Sequence, residues 1–201
     1  MSSRRSRFVS SPSGSVTLRA RRLPAEIAMP LLRTARLILR DFNETDLDAL
    51  AVLTAKDKFM RFSGGAALSR EQTAAILERI MVRTRANLPA QFALTIPPSG
   101  QLLGYCGFFL QHVDEVDEIE IAYRLDPDFW GEGLATEAAC AVRDHAFTDL
   151  ALKRVISLIH PDNIASRRVA EKTGMTFEKQ TTFRGFPTLV FAALAPELEA
   201  V

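Results

Sequence analysis

Asp126-Pro-Asp-Phe-Trp-Gly-Glu-Gly-Leu-Ala-Thr-Glu137 joins an alternating, strand-like stretch to an alanine-rich, helix-like one. A strand ends, a short turn holds Gly131 and Gly133, and a helix begins at once. Glycine at those places lets the backbone turn tightly and approach a ligand with no Cβ in the way. The first N–H groups of the helix have no internal partners, and with the positive end of its dipole they suit phosphate oxygens. Two readings stand at this point: a cradle for a pyrophosphate-bearing molecule, or simply a tight connection. A Walker loop is excluded, since no Gly-Lys-Ser/Thr triplet occurs. A dinucleotide fingerprint needs three glycines after the first strand of a βαβ unit, and here two follow the fourth strand.

Working outward, Glu118–Leu125 alternates strictly, with Ile119, Ile121, Tyr123 and Leu125 on one face and Glu118, Glu120, Ala122 and Arg124 on the other. Gln91–Ile96 and Leu102–Gln111 flank Pro97-Pro98-Ser99-Gly100 as a hairpin. Ser69 with Gln72 forms a capping box ahead of Thr73, Ile76, Leu77, Ile80 and Met81 at helical spacing. Asn43 caps an earlier helix with Asp46 three residues on, and Arg36–Arg40 reads as the opening strand. Downstream, the helix from Gly133 runs to about Phe147. Arg154–Ile159 is nearly all apolar, as a strand covered on both faces is. Asp162 or Asn163 caps a last helix that Gly174 ends, and strands near Thr176–Thr182 and Thr188–Leu194 follow. The order predicts a mixed α/β (α+β) single domain with about seven strands and about four helices.

Length and composition agree. The chain has 201 residues, 47% of them hydrophobic, enough for one domain with a core. No apolar run reaches the span of a membrane helix, and Cys106 and Cys140 lack metal-ligand spacing, so a reduced, cytoplasmic setting is expected. Residues 1–28 hold six arginines against the single acid Glu26, so under a net charge of +1 the remainder is mildly acidic. Nothing in that remainder suggests nucleic-acid binding through bulk charge. Rich in Ser and Arg, residues 1–28 are expected to be disordered. They read as a basic arm, a targeting peptide, or the product of a start site placed upstream of Met29, with the folded domain at 29–197.

Four collinear segments carry a resemblance. Trp130-Gly-Glu-Gly-Leu-Ala135 resembles the acetyl-CoA pyrophosphate loop of the GNAT acetyltransferase superfamily, with Trp130 in the first position as in its RimJ/RimL-like branch. Leu32–Arg40 is similar to that branch's opening strand. Met60–Gly65 with Ser69–Gln72 is similar to its second-helix region, and Asn163–Val169 with Glu171–Met175 to its last helix. The match spans roughly residues 31–195.

The resemblance implies a mostly antiparallel sheet whose fourth and fifth strands splay apart around the pantetheine arm of acetyl-CoA, a cosubstrate; no metal is implied. Backbone near Arg124 and Leu125 would pair with pantetheine, one N–H there polarising the thioester carbonyl. Trp130, Gly131, Glu132, Gly133, Leu134, Ala135 and Thr136 form the pyrophosphate loop, and Asn163 would contact the pantetheine arm. Glu120 matches the family's general base, with Glu118 in reserve and an exposed glutamate paired to an arginine as the alternative. The family's last-helix tyrosine is replaced by Ala170, which leaves Ser166, near the sulfur, or solvent to protonate the thiolate. His160 reads as a loop histidine, Cys106 as core, and Phe92, Tyr105 and Phe108 as core aromatics. The implied reaction is transfer of acetyl to a primary amine, with a protein or peptide α-amine as acceptor by branch analogy. A small amine (polyamine, amino acid or antibiotic) and a non-catalytic acetyl-CoA-binding module are the alternatives. No nucleic-acid or membrane partner is expected, and monomer and homodimer stay open.

Overall fold

The computed structural model describes residues 31–62 and 66–196. The basic segment 1–28, Met29 and the Ser63-Gly64-Gly65 end of one matching segment lie outside the described residues. Eight strands form one sheet: β1 (Leu32–Arg33), β2 (Ile38–Arg40), β3 (Gln91–Ile96), β4 (Gln101–Val113), β5 (Val116–Leu125), β6 (Arg154–Ile159), β7 (Thr176–Phe183) and β8 (Phe186–Leu194). Their spatial order is β1-β2-β3-β4-β5-β6-β8-β7. Every neighbouring pair is antiparallel except β5 and β6. The expected mixed α/β domain is found. The eighth strand is the two-residue β1, too short to leave a period in the sequence.

The helices are α1 (Leu47–Thr54), α2 (Asp57–Met60), α3 (Arg70–Arg85), α4 (Leu134–Thr148) and α5 (Ile164–Lys172). The expected Ser69–Gln72 capping box forms on α3, and the expected Asn43 cap forms a second box with Asp46 on a 3-10 turn that leads into α1. Asn43 and Ser69 each satisfy orphan N–H groups, a contribution of about 1 kcal/mol per cap. Asn163 is the cap of α5. The four-residue α2 has no periodicity to betray it. None of the helices among the described residues is long and apolar enough to cross a membrane.

One face of the sheet carries α4 and α5 over a continuous core that includes Phe92, Phe108, Ile121, Leu134, Val142, Val155 and Phe191. The opposite face has two separate clusters. Phe42, Leu50, Phe59, Leu77 and Tyr105 pack beneath α1–α3, whereas Val113, Ile156, Val190 and Ala192 pack beside Phe183. Phe92, Phe108 and Tyr105 are thus core, as is Cys106, whose thiol burial pushes far up from its ordinary range.

Gly104 fixes how closely β4 and β5 approach. It sits at φ +145°, and a Cβ there would lie 2.0 Å from the Arg124 carbonyl oxygen. Backbone cannot yield as a side-chain tip can. Gly104→Ala should therefore destabilise the fold by about 3 kcal/mol through strain and forced strand separation. Urea denaturation would show this as a lowered midpoint at constant slope; an unchanged midpoint would contradict the close approach.

Candidate active site

The loop after β5 is built on local hydrogen bonds. Asp126 caps a 3-10 turn at Pro127–Phe129 by accepting from the Asp128 N–H, and Lys56 reaches both carboxylates at 2.6 and 3.0 Å. The indole N–H of Trp130 donates to the Leu125 carbonyl at 2.8 Å, which leaves the ring half exposed over the end of the strand. Gly131 and Gly133 follow at φ +88° and +82°. A Cβ on Gly131 would meet nothing within 4 Å, and one on Gly133 only Arg36 Nη2 at 3.6 Å. The space in front of the α4 N-terminus is therefore open. The first bond into the helix runs from Glu137 N–H to the Gly133 carbonyl, so the N–H groups of Leu134, Ala135 and Thr136 have no intrahelical acceptor. Leu134 anchors the turn in the core, while Ala135 and Thr136 are half-buried.

A clamp that the sequence did not announce holds this loop. Glu137 accepts from Thr34 Oγ1 at 2.6 Å and from the N–H and Nε of Arg36 at 2.8 and 2.7 Å. Arg36 Nη1 also donates to the Glu132 carbonyl at 2.9 Å. The turn between β1 and β2 thus ties the glycine loop to the far edge of the sheet. Its one sequence signal is an acid in the first turn of α4, which calls for cationic donors but does not say where they lie.

β5 and β6 run parallel and pair at a single position, Glu120 with Ile156. Next to that pair, Ser157 Oγ donates to the Ile121 carbonyl at 2.7 Å, a side chain standing in for a ladder bond. Beyond it the strands separate, which is the splay implied between the strands counted fourth and fifth from the sequence. At the mouth of the gap, Tyr123 Oη donates to the Ser166 carbonyl at 2.9 Å, and Asn163 Oδ1 accepts from the Ser166 N–H at 3.2 Å. Asn163 and Ser166 are both half-buried. Ala170 is core. His160, at the end of β6, lies against Phe62 with ring centroids 5.7 Å apart.

The two glutamates of β5 differ sharply. Glu118 bonds Arg154 Nε at 3.1 Å, and Arg154 also holds Glu178. Glu120 is 7% exposed, has no arginine in ion-pair contact among the described residues, and accepts from Gln111 Nε2 at 2.6 Å, with the Leu158 N–H close by. Burial raises its pKa above the usual carboxylate range, against the opposing pull of those donors and of Arg184 and Arg124. The arginine partner thus belongs to Glu118, which is itself half-buried, and not to Glu120. Arg124, four residues on along the same face, lies over the Tyr105 ring at 5.5 Å and donates to Met60 Sδ at 3.3 Å. One region therefore brings together a desolvated carboxyl, a gap in the sheet with unpaired backbone, and an open helix N-terminus.

Comparison with known proteins bears on this arrangement. Residues 36–176 match the family model described as the acetyltransferase (GNAT) domain. The uncharacterized protein YkkB of Bacillus subtilis (strain 168) is 41% identical over 81 residues, 40% of this chain and 47% of that protein, so the match spans about half its length. The uncharacterized N-acetyltransferase YoaA of the same organism is 27% identical over 158 residues, 78% of this chain and 88% of the relative. The solved structure of RimL, a ribosomal L7/L12 alpha-N-protein acetyltransferase in complex with coenzyme A, shares the fold. Its TM-score is 0.70 at 19% identity, with 82% of this chain and 98% of that one covered. The chain belongs to the GNAT acetyltransferase family and is an acetyl-CoA-dependent N-acetyltransferase.

Proposed function

We propose that the acceptor is the α-amino group of a peptide or protein and that Glu120 is the base that deprotonates it. The observation that carries this reading is the burial of Glu120 at the single rung between β5 and β6. A carboxyl raised above its ordinary pKa is a better proton acceptor than a solvated one. It is matched to an α-amine of pKa about 7.8, of which roughly a seventh is neutral at pH 7; a lysine near 10.4 asks for far more. The resemblance in fold to RimL, which acetylates an α-amine by its name, points the same way.

In this reading acetyl-CoA binds with its pyrophosphate on the N–H groups of Gly131–Thr136 and its pantetheine arm along Arg124 and Leu125 in the gap. Asn163 contacts the arm with the amide hydrogens its capping role leaves over. A backbone N–H of β5 stabilises the charge that develops on the thioester oxygen as the neutral amine attacks. Ser166 gives the departing sulfur a hydrogen bond, and the thiolate takes its proton there or from solvent.

A panel of amines read by release of free CoA thiol tests the acceptor. Short peptides with a free N-terminus should turn over, and the same peptides blocked at the N-terminus but carrying a lysine should not. Preference for spermidine or for free amino acids would replace the peptide reading with a small-molecule one.

A further inference from the structure

Gln111 stands on β4 opposite Glu118, one place along the strand from the partner of Ile119, and is 8% exposed. Its amide can face only one way. Arg184, at the β7–β8 turn, has donors alone and gives Nη2–H to Gln111 Oε1 at 3.1 Å. That leaves Gln111 Nε2 to donate to Glu120 Oε2, the 2.6 Å contact. Arg184 is itself steadied over the Phe183 ring at 5.0 Å, and Phe183 packs on the Val113–Ile156–Val190–Ala192 cluster. Three elements distant in sequence thus converge on one carboxyl oxygen.

We propose that Gln111 is a positioning residue for acetyl transfer: it holds Glu120 in one orientation and favours its ionised form, while Arg184 fixes the sense of the Gln111 amide. This rests on the reading of Glu120 as base. The other groups facing Glu120 are few. Arg124 lies along β5, Tyr105 comes from β4, the Leu158 N–H from β6, and Tyr123 exerts a weaker influence from the far face. Glu118 is held by Arg154. The Gln111 hydrogen bond and the nearby Leu158 N–H both oppose the effect of burial, so removing the Gln111 bond moves the titration of Glu120 upward.

The test is the pH profile of kcat/KM. Since the base must be ionised, activity rises with pH through the Glu120 pKa. Gln111→Leu should move that acid limb up by about one pH unit, with a loss of about tenfold on the limb that disappears at higher pH. Arg184→Gln should move it the same way by less, and Arg184→Lys, still a donor, should restore the limb. An unmoved limb in Gln111→Leu, or an equal loss at every pH, overturns the proposal. Should that variant fail to fold, Arg184→Gln decides, because its side chain lies at an exposed hairpin tip. Failure of the underlying reading looks different: Glu120→Gln would then keep the wild-type rate. If only the positioning role fails, Glu120→Gln is slow and Gln111→Leu has a normal limb.

Discussion

Glu120→Gln should lower kcat/KM by on the order of 10²–10⁴ at neutral pH, the range for loss of a positioned general base. The substitution keeps the shape of the side chain and an oxygen to accept from Gln111 Nε2, so a slow enzyme would reflect lost basicity and not a collapsed site. The deficit should shrink as pH rises, because the acceptor then deprotonates without help. The wild-type acid limb should lie above the range of an ordinary glutamate, since burial favours the neutral carboxyl. Steady-state CoA release across pH reads both effects. A wild-type rate in the variant would remove Glu120 from the mechanism. It would turn attention to solvent before Glu118, whose carboxylate is already taken by Arg154.

The second large effect is expected at Gly133. Valine there faces two difficulties. The backbone sits at φ +82°, where a β-branched residue is strained by about 1–2 kcal/mol. Its side chain would also rise into the open space before the α4 N-terminus, with only Arg36 near the Cβ. Phosphate oxygens must come within about 3 Å of those N–H groups to bond them. Gly133→Val should therefore cut acetyl-CoA affinity by about a hundredfold or more in calorimetry, while circular dichroism still shows a folded protein. Unchanged affinity would mean that the pyrophosphate binds elsewhere.

Strands β3 to β6 and helices α3 to α5 were legible because their signals are local. Period-two alternation, capping boxes and left-handed glycines act over a few residues, and tertiary packing did not overrule them. The glycine loop was legible for the same reason. The environment of Glu120 was not. Alternation places it on the polar face of β5 with Glu118 and Arg124, and only the fold-back of β7 and β8 with Gln111 covers it. Arg36 is 101 residues from Glu137 in sequence. No spacing rule links them, and the opening strand gave no hint that its preceding turn braces the loop. α2 and β1 were missed because elements of four and two residues leave no period to count.

The single rung between β5 and β6 has a mechanical consequence. On the α4 side a continuous core crosses the breach; on the other face a smaller cluster crosses it, Val113 of β4 packing with Ile156, Val190 and Ala192, beside the Arg154–Glu118 ion pair. The sheet is therefore a pair of plates whose strands meet at one rung and which side chains hold together on both faces. Ser157 and Tyr123 are stays across the seam. A molecule that lies in the seam and bonds to its bare amides stitches the plates together, so its binding energy adds to the stability of the whole. At a hundred times its dissociation constant that gain is about 2.7 kcal/mol. If acetyl-CoA lies in the seam as proposed, the thermal stability of the protein is coupled to its supply.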